Sequence, residues 1–550
     1  MITNECIQQE KLRNAEKLSQ LTERQQAEQK EAKKLKIFSI AMVAVMVVMM
    51  VFAVYIVASK AIAKANLGKA ERETVAVTIG DHEISAAEFN CFFVDAVSNF
   101  YSQYGSYASL FGLDVTKALD QQFYDEENKV TWADEFANSA KDNVKAVYGI
   151  ADEAKANGFT LSDDDKAYLE TQMSTLSAYA SLYGYSNVNG YLQAMYGNGA
   201  NEEIVRDYFE VCYTAQAYQQ SVSDALEYTD ADIEAKDAEN PAVFSTFSYN
   251  SYYMAASKFL EGGEKDAEGN MTYSDEEQAA AVEAAKAAAE SLMGAASVEE
   301  FNKAIAALEI NAEVENAAST ASNNTSYDYV NSILQSWVTD SKREEGEMNV
   351  IASTTTDEDG KETINGYYAV YFTGRDDNEV LMQNVRHILT KFEGGKTDDN
   401  GTTTYSDEEK AAAKETAEQI LADWKAGEAT EDSFAALANE KSDDGDGTTG
   451  GLYENVYPGK MVTNFNDWLF DASRVAGDTD VVETEYGYHV MYYVGASEQT
   501  YRNYMIENAL RSADVEAWYN GIVEAQTLTD GNLEYIPGGM ILNSGSTSTY

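Results

Sequence analysis

Two stretches of this chain are copies of one another, and that repetition limits the folds open to its second half. KFLEGGEKDAEGNMTYSDEEQAAAVEAAKAAAESLMG begins at Lys258, and KFEGGKTDDNGTTTYSDEEKAAAKETAEQILADWKAG begins at Lys391. The match resumes with Trp337, Asp340, Arg343 and Gly346 against Trp468, Asp471, Arg474 and Gly477. It ends with NGYYAVYFTG (365–374) against YGYHVMYYVG (486–495). In each copy a serine, Ser274 or Ser406, stands three residues before a glutamate, Glu277 or Glu409, at the start of an alanine-rich run. That is the spacing of a capping box, so each run should open a helix there. Each copy reads as strand, loop, helices, strand, strand, an α+β domain.

A second feature divides the chain. From Ile37 to Ser59 no residue is charged, which is long enough to cross a hydrocarbon core of about 30 Å as a helix. Eight Lys/Arg and six Glu precede it, whereas the whole chain carries 39 basic and 93 acidic residues, net −54. Lys30, Lys33, Lys34 and Lys36 abut the run, which favours a cytoplasmic N-terminus and an exported remainder. A cleaved signal peptide ending near Ala61-Ile62-Ala63 is the rival reading; the long preceding segment and the length of the run argue against it. The charge balance argues against a nucleic-acid partner. Cysteines only at positions 6, 91 and 212 rule out a disulfide framework and a paired-cysteine zinc site.

After the apolar run, VTIGDHEIS (77–85) reads as a small strand and turn entering a helix, with Ser85 and Glu88 as a further capping box. Helices should follow to about residue 230. The best formed, 201–222, carries Ile204, Tyr208, Val211, Ala215 and Tyr218 at helical spacing, with Cys212 beside them. Cys91 and Cys212 read as packing residues. The tyrosines and glycines of 176–199 fit two roles, ordinary helix core or an adaptable surface for unfolded chains. Met505, Ile506, Leu510, Val515, Trp518 and Ile522 mark an amphipathic helix over 502–525.

Two of the three histidines, His387 and His489, lie near the two ends of the second copy. The first copy has Met254 and Tyr368 at the matching positions in the sequence. Period-two alternation places both histidines on one face of adjacent strands. Either alone would suit a core role; their joint presence in one copy and joint absence from the other point to a site.

At RHIL (386–389), FAALANEKSDD (434–444), GGL (450–452), GKMVTNF (459–465) and TEYGYHV (484–490), the second copy resembles the parvulin-type peptidyl-prolyl cis-trans isomerases. The resemblance implies a small antiparallel sheet with helices, no cofactor and no metal. It also implies a site floor of His387, Asp444 and His489 buttressed by Thr484, and a proline-ring pocket of Leu452, Met461 and Phe465. The chain departs from the pattern at Tyr453-Glu454-Asn455, where the family has a small glycine-containing turn, with one extra residue before Met461. The loop 393–404, EGGKTDDNGTTT, lacks the basic cluster of phosphoserine-selective members, so unphosphorylated X-Pro segments are the expected substrates.

The overall plan resembles membrane-anchored extracytoplasmic foldases of the PrsA, SurA and PpiD type. The expected order is a cytoplasmic tail (1–36), a transmembrane helix (37–59) and a mostly helical chaperone-like domain (74–235, completed by 500–535). A degenerate parvulin-like domain (242–375), a parvulin-type isomerase domain (382–497) and a disordered tail (536–550) follow. The implied partners are unfolded or newly exported polypeptides containing X-Pro bonds. The alternatives are a non-catalytic holdase, or an envelope scaffold that uses the parvulin-like domains as binding modules.

Overall fold

A computed structural model describes residues 61–542 of the chain, apart from 358, 399, 400 and 446. The expected cytoplasmic tail and membrane span lie outside the described residues. Among the described residues no helix is long and apolar enough to cross a membrane. The chain divides into two compact units, which contain 61–228 with 509–542, and 229–508.

The first unit is mainly helical: Ala61–Glu73, Ala86–Tyr104, Trp132–Ala156, Asp163–Leu182, Val188–Tyr196 and Glu202–Asp224. A three-stranded antiparallel sheet joins Val75–Ile79 to His82–Ser85 on one side and to Leu528–Asp530 on the other. Ser85 caps its helix by accepting from the Glu88 amide at 3.2 Å, but the expected box is half formed. The Glu88 carboxylate instead accepts the Tyr148 hydroxyl. Phe89, Phe92, Phe93, Trp132 and Tyr191 fill the core.

The tyrosine-rich segment takes the first of its two readings. Tyr191 and Tyr196 are buried, and Tyr183 stacks on Tyr179 and Tyr191 at 5.9 and 6.1 Å. Exposed aromatic surface lies elsewhere in this unit: Tyr107, Leu110, Phe111, Phe123 and Tyr124 are each about half or more exposed. Phe111 rests on Phe100 and Tyr124 on Trp132, and Phe100 touches Trp132, so these exposed rings are anchored on one core aromatic cluster. Cys91 and Cys212 are free, the first buried and the second half-buried. The disordered tail expected from 536 begins too early. Met540 and Leu542 are buried, and the Met540 and Gly538 carbonyls accept from the Leu119 and Asp120 amides, because apolar side chains there find cover against the helices.

The second unit holds the repeat. The first copy includes β1 (Thr246–Ala255), α1 (Asp275–Glu290), β2 (Thr320–Ser326), β3 (Met348–Thr356) and β4 (Glu362–Asp376), with a further helix at Val298–Ala306. The second has β5 (Leu381–Lys391), α2 (Asp407–Ala426), α3 (Glu431–Lys441), β6 (Leu452–Val456), α4 (Thr463–Leu469), β7 (Thr479–Thr484) and β8 (Gly487–Thr500). The sheets run β2-β1-β4-β3 and β6-β5-β8-β7, antiparallel throughout and identical in order.

Both capping boxes are complete, and in each the glutamate also accepts from a glycine amide, Gly263 at 3.0 Å or Gly395 at 2.9 Å. Arg343 lies over Trp337 at 3.9 Å and Arg474 over Trp468 at 4.0 Å, each guanidinium donating to the carbonyl of its tryptophan at 3.1 Å. These shared sequence marks therefore satisfy backbone groups of the scaffold.

Strand register corrects one correspondence. His387 pairs with Met491, and the residue equivalent to Met491 in the first copy, Val370, pairs with Ser251. Ser251, not Met254, therefore occupies the position of His387. Gly366 against the Met254 carbonyl and Gly487 against the Thr390 carbonyl mark the same alignment, since a Cβ on either glycine would lie about 2 Å from that oxygen. A single turn of helix, Ala256–Phe259, absorbs the additional residues after β1 and hides the shift from sequence comparison.

Candidate active site

One face of the second sheet packs Ile388, Tyr488 and Val490 against α2 and α3. The other packs Val385, Met491 and Tyr493 against Phe465, Trp468 and Leu469 of α4, with Val456 of β6. Alternation along β5 and β8 puts His387 and His489 on this second face. Both are buried, at 3% and 6% exposure.

The two imidazoles meet Nδ1 to Nδ1 at 3.0 Å. On the far side of His489, Nε2 lies 2.9 Å from the Thr484 hydroxyl, which also accepts from the Tyr486 amide at 3.2 Å. On the far side of His387, Nε2 lies 3.2 Å from Asp444 Oδ2, and the Tyr453 hydroxyl donates to the same oxygen at 2.6 Å. Every donor is used once when His387 carries its proton on Nε2 and His489 on Nδ1. Thr484 then donates to His489, His489 to His387, and His387 with Tyr453 to the carboxylate. Phe465 stands edge-on to both rings at 5.5 and 5.4 Å.

Local sequence explains how Asp444 is held. The loop leaving α3 is stitched to β5. The Ser442 hydroxyl accepts from the Leu389 amide at 3.1 Å and the Asp444 amide at 3.2 Å. The Asp443 amide donates to the Leu389 carbonyl at 2.8 Å, and Lys391 Nζ donates to the Asp443 carbonyl at 2.6 Å. Gly451 lets β6 approach, because a Cβ there would sit 2.2 Å from the His387 carbonyl and its φ is +65°. Lys391, beside the loop 393–404, is thus committed to the scaffold.

The structure brings together His387, Asp444, His489, Thr484 and Phe465, with Met461 half-buried in the same apolar cluster. It does not bring Leu452 to them. Leu452 pairs with Arg386 and shares that residue's face, where the guanidinium reaches Glu431, whereas Tyr453 pairs with Val385 and shares the face of His387. Tyr453 thus takes the place expected of Leu452, its ring stacked on His387 with centroids 4.7 Å apart. Sequence reading missed Tyr453 and Ser442. The break in the family pattern at 453–455 was the only signal for the first.

The His387 imidazole holds the Asp444 carboxyl well below the usual carboxylate range, with the Tyr453 hydroxyl helping and partial burial opposing. Burial, and then Asp444, push the Tyr453 phenol up. Burial and the neighbouring His387 push His489 down to about 4, against the pull of Asp444. His489 is therefore neutral at pH 7. A histidine harder to protonate folded than unfolded stabilises fully above its unfolded value of 6.5 and loses that contribution as pH falls toward 4. The stability advantage of wild type over His489→Leu should shrink by about 3 kcal/mol from pH 7 to pH 4, read by chemical denaturation. A constant difference would contradict a buried neutral His489.

Residues 368–495 match the family model described as the PPIC-type PPIase domain. No curated protein sequence matches the chain. Among solved structures, the PPIase domain of TbPAR42 is 24% identical, over 20% of this chain and 98% of that one, with a TM-score of 0.17. PrsA from Bacillus subtilis is 14% identical, over 73% and 88%, with a TM-score of 0.27. The peptidylprolyl isomerase PrsA from Bacillus cereus is 23% identical over 27% of this chain and about half, 49%, of that one, with a TM-score of 0.17. The chain therefore carries a peptidyl-prolyl cis-trans isomerase domain. Its isomerase domain, which the family match opens inside β4, is of the parvulin type.

Proposed function

We propose that the chain is a membrane-anchored foldase. In this reading residues 1–36 are cytoplasmic, 37–59 span the membrane, the helical unit holds unfolded exported chains outside it, and the second repeat isomerises their X-Pro bonds. The observation that carries the reading is a sealed histidine pair ending in a partly exposed carboxylate, Asp444, inside the family-matched domain.

An X-Pro bond rotates slowly because amide resonance must be lost, at a barrier of about 18 to 20 kcal/mol. A site that fits the twisted amide better than either planar form lowers that barrier, and each 1.36 kcal/mol of preference gives about tenfold in rate. Asp444 supplies a fixed charge beside the rotating bond, and His387, His489 and Thr484 hold it in one state. Met461, Phe465 and Tyr453 form the apolar wall for the ring. No covalent step, cofactor or metal enters. With Lys391 tied to Asp443 and no basic cluster in 393–404, the preferred substrates are unphosphorylated.

The first repeat is a degenerate parvulin-like domain in this reading. Its sheet order supports the kinship, and Ser251 and Tyr368 at the histidine positions support its silence. The exposed apolar side chains of 107–124 support chain binding by the helical unit, since clustered exposed apolar groups mark interaction sites. Full-length protein should both suppress aggregation of an unfolded client and accelerate a proline-limited refolding step. A Leu110→Ser, Phe111→Ser variant should lose the first effect and keep the second. Suppression by wild type without acceleration would give the holdase reading instead.

A further inference from the structure

Strand β6 contains a defect with a chemical consequence. Its pairing with β5 runs Leu452–Arg386 and Tyr453–Val385, then jumps to Val456–Gln383, so Glu454 and Asn455 together oppose Asn384. This is a β-bulge. Asn455 takes the left-handed conformation, φ +51°, and its amide donates to the Asn384 side chain at 2.9 Å. On a regular strand, residues three apart face opposite sides. The bulge resets that parity, so Val456 stays in the core while Tyr453 turns to the same face and lies on His387.

What Tyr453 does there follows from which groups are open. His387 and His489 are sealed, whereas the Asp444 side chain is 39% exposed and Tyr453 is 36% exposed. Asp444 is the charged end of the network that substrate can reach. It stands on a short loop, where the Gly445 amide also reaches its carboxylate. Its Oδ2 is held twice, by His387 Nε2 at 3.2 Å and by the Tyr453 hydroxyl at 2.6 Å, and the tyrosine ring covers the open face of the imidazole between them.

We propose that Tyr453 is a positioning residue of the isomerase, whose hydroxyl fixes the Asp444 carboxylate in one orientation while its ring shields the histidine pair from water. The proposal rests on the isomerase assignment and adds to it a residue that the family pattern does not supply. Its effect is on rate, because a misplacement of about 1 Å in a catalytic group can cost up to about a hundredfold.

The test is carried out on the full chain with a proline-containing peptide, separating kcat from KM. Tyr453→Phe keeps the stacked ring and removes the hydroxyl; kcat should fall about tenfold, equivalent to about 1.4 kcal/mol, with KM within about twofold and the melting temperature unmoved. In an Asp444→Asn background the same substitution should change nothing further, since Tyr453 acts through that carboxylate. Nitrogen-15 spectra of the imidazoles should show His387 protonated at Nε2 in wild type and a mixture of tautomers in Tyr453→Phe. A wild-type kcat in Tyr453→Phe, or an equal loss in both backgrounds, overturns the proposal, as does an unchanged tautomer. A wild-type chain that fails to isomerise the peptide overturns the isomerase assignment instead, and the imidazole spectra still decide whether Tyr453 governs Asp444.

Discussion

Asp444→Ala is expected to reduce the isomerase activity of the whole chain to background while barely moving its melting temperature. The two halves of that expectation have different causes. Asp444 is the partly exposed end of the network, so truncating it leaves His387 Nε2 and the Tyr453 hydroxyl where water can replace the lost partner. That exchange costs little, because a hydrogen bond traded for one to water changes stability by about 1 kcal/mol. The rate loss is larger, on the order of a hundredfold or more, as found when one preorganised electrostatic group is removed from an active site. In the proposed reading no second site compensates, since the first copy carries Ser251 and Tyr368 where the second carries histidines. Activity of the full-length variant on a proline peptide, beside its thermal melt, checks both halves. Retention of about half the activity would mean that the first copy also turns over.

The repeat was legible because it is written in residues whose job is local. Ser274 and Ser406 cap, Glu277 and Glu409 return the bond and reach a glycine amide, and Arg343 and Arg474 cover their tryptophans. Such pairs keep fixed spacing, so sequence displays them. The histidine pair was legible because each ring falls in a stretch of regular alternation, 385–391 or 487–493. What failed to show depends on backbone irregularity. Three residues taken up by Ala256–Phe259 moved Ser251 into the place that sequence gave to Met254. The resemblance put Leu452 in the ring pocket, whereas the register beside the bulge at Asn455 puts Tyr453 on that face. Period-two reasoning carries no information across an unrecognised bulge, because one extra residue inverts every assignment beyond it.

The two copies also differ in a physically ordered way. Their shared residues sit at helix starts, turns and the covered edge of the sheet, where each satisfies backbone groups that would otherwise be left without partners. Among their differences are those on the sheet face that carries the histidines in the second copy. There Tyr368 replaces His489 and lies against Tyr253, with ring centroids 4.7 Å apart, an aromatic contact in place of a hydrogen-bonded relay. The two sheets therefore keep one order with different side chains on that face.

His387→Ala should act in the opposite sense to Asp444→Ala, losing stability as well as rate. His387 is buried and bonded at both ring nitrogens, so its removal strands the His489 Nδ1–H in a buried site. An unsatisfied buried donor costs about 1 to 3 kcal/mol. The ring also fills the space between Tyr453, Phe465 and His489, and emptying it adds a cavity cost of about 2 kcal/mol on the scale of large-to-small core substitutions. The sum, about 3 to 5 kcal/mol, is a large fraction of the stability of one domain. Trp424 and Trp468 both pack in this domain, so their fluorescence reports its unfolding during denaturation of the full chain. His387→Gln, which can still bond to one neighbour, should recover part of the loss. If His387→Ala and Asp444→Ala lower the midpoint equally, the histidines are not the buried support of an exposed carboxylate, and the division between holding and acting groups fails.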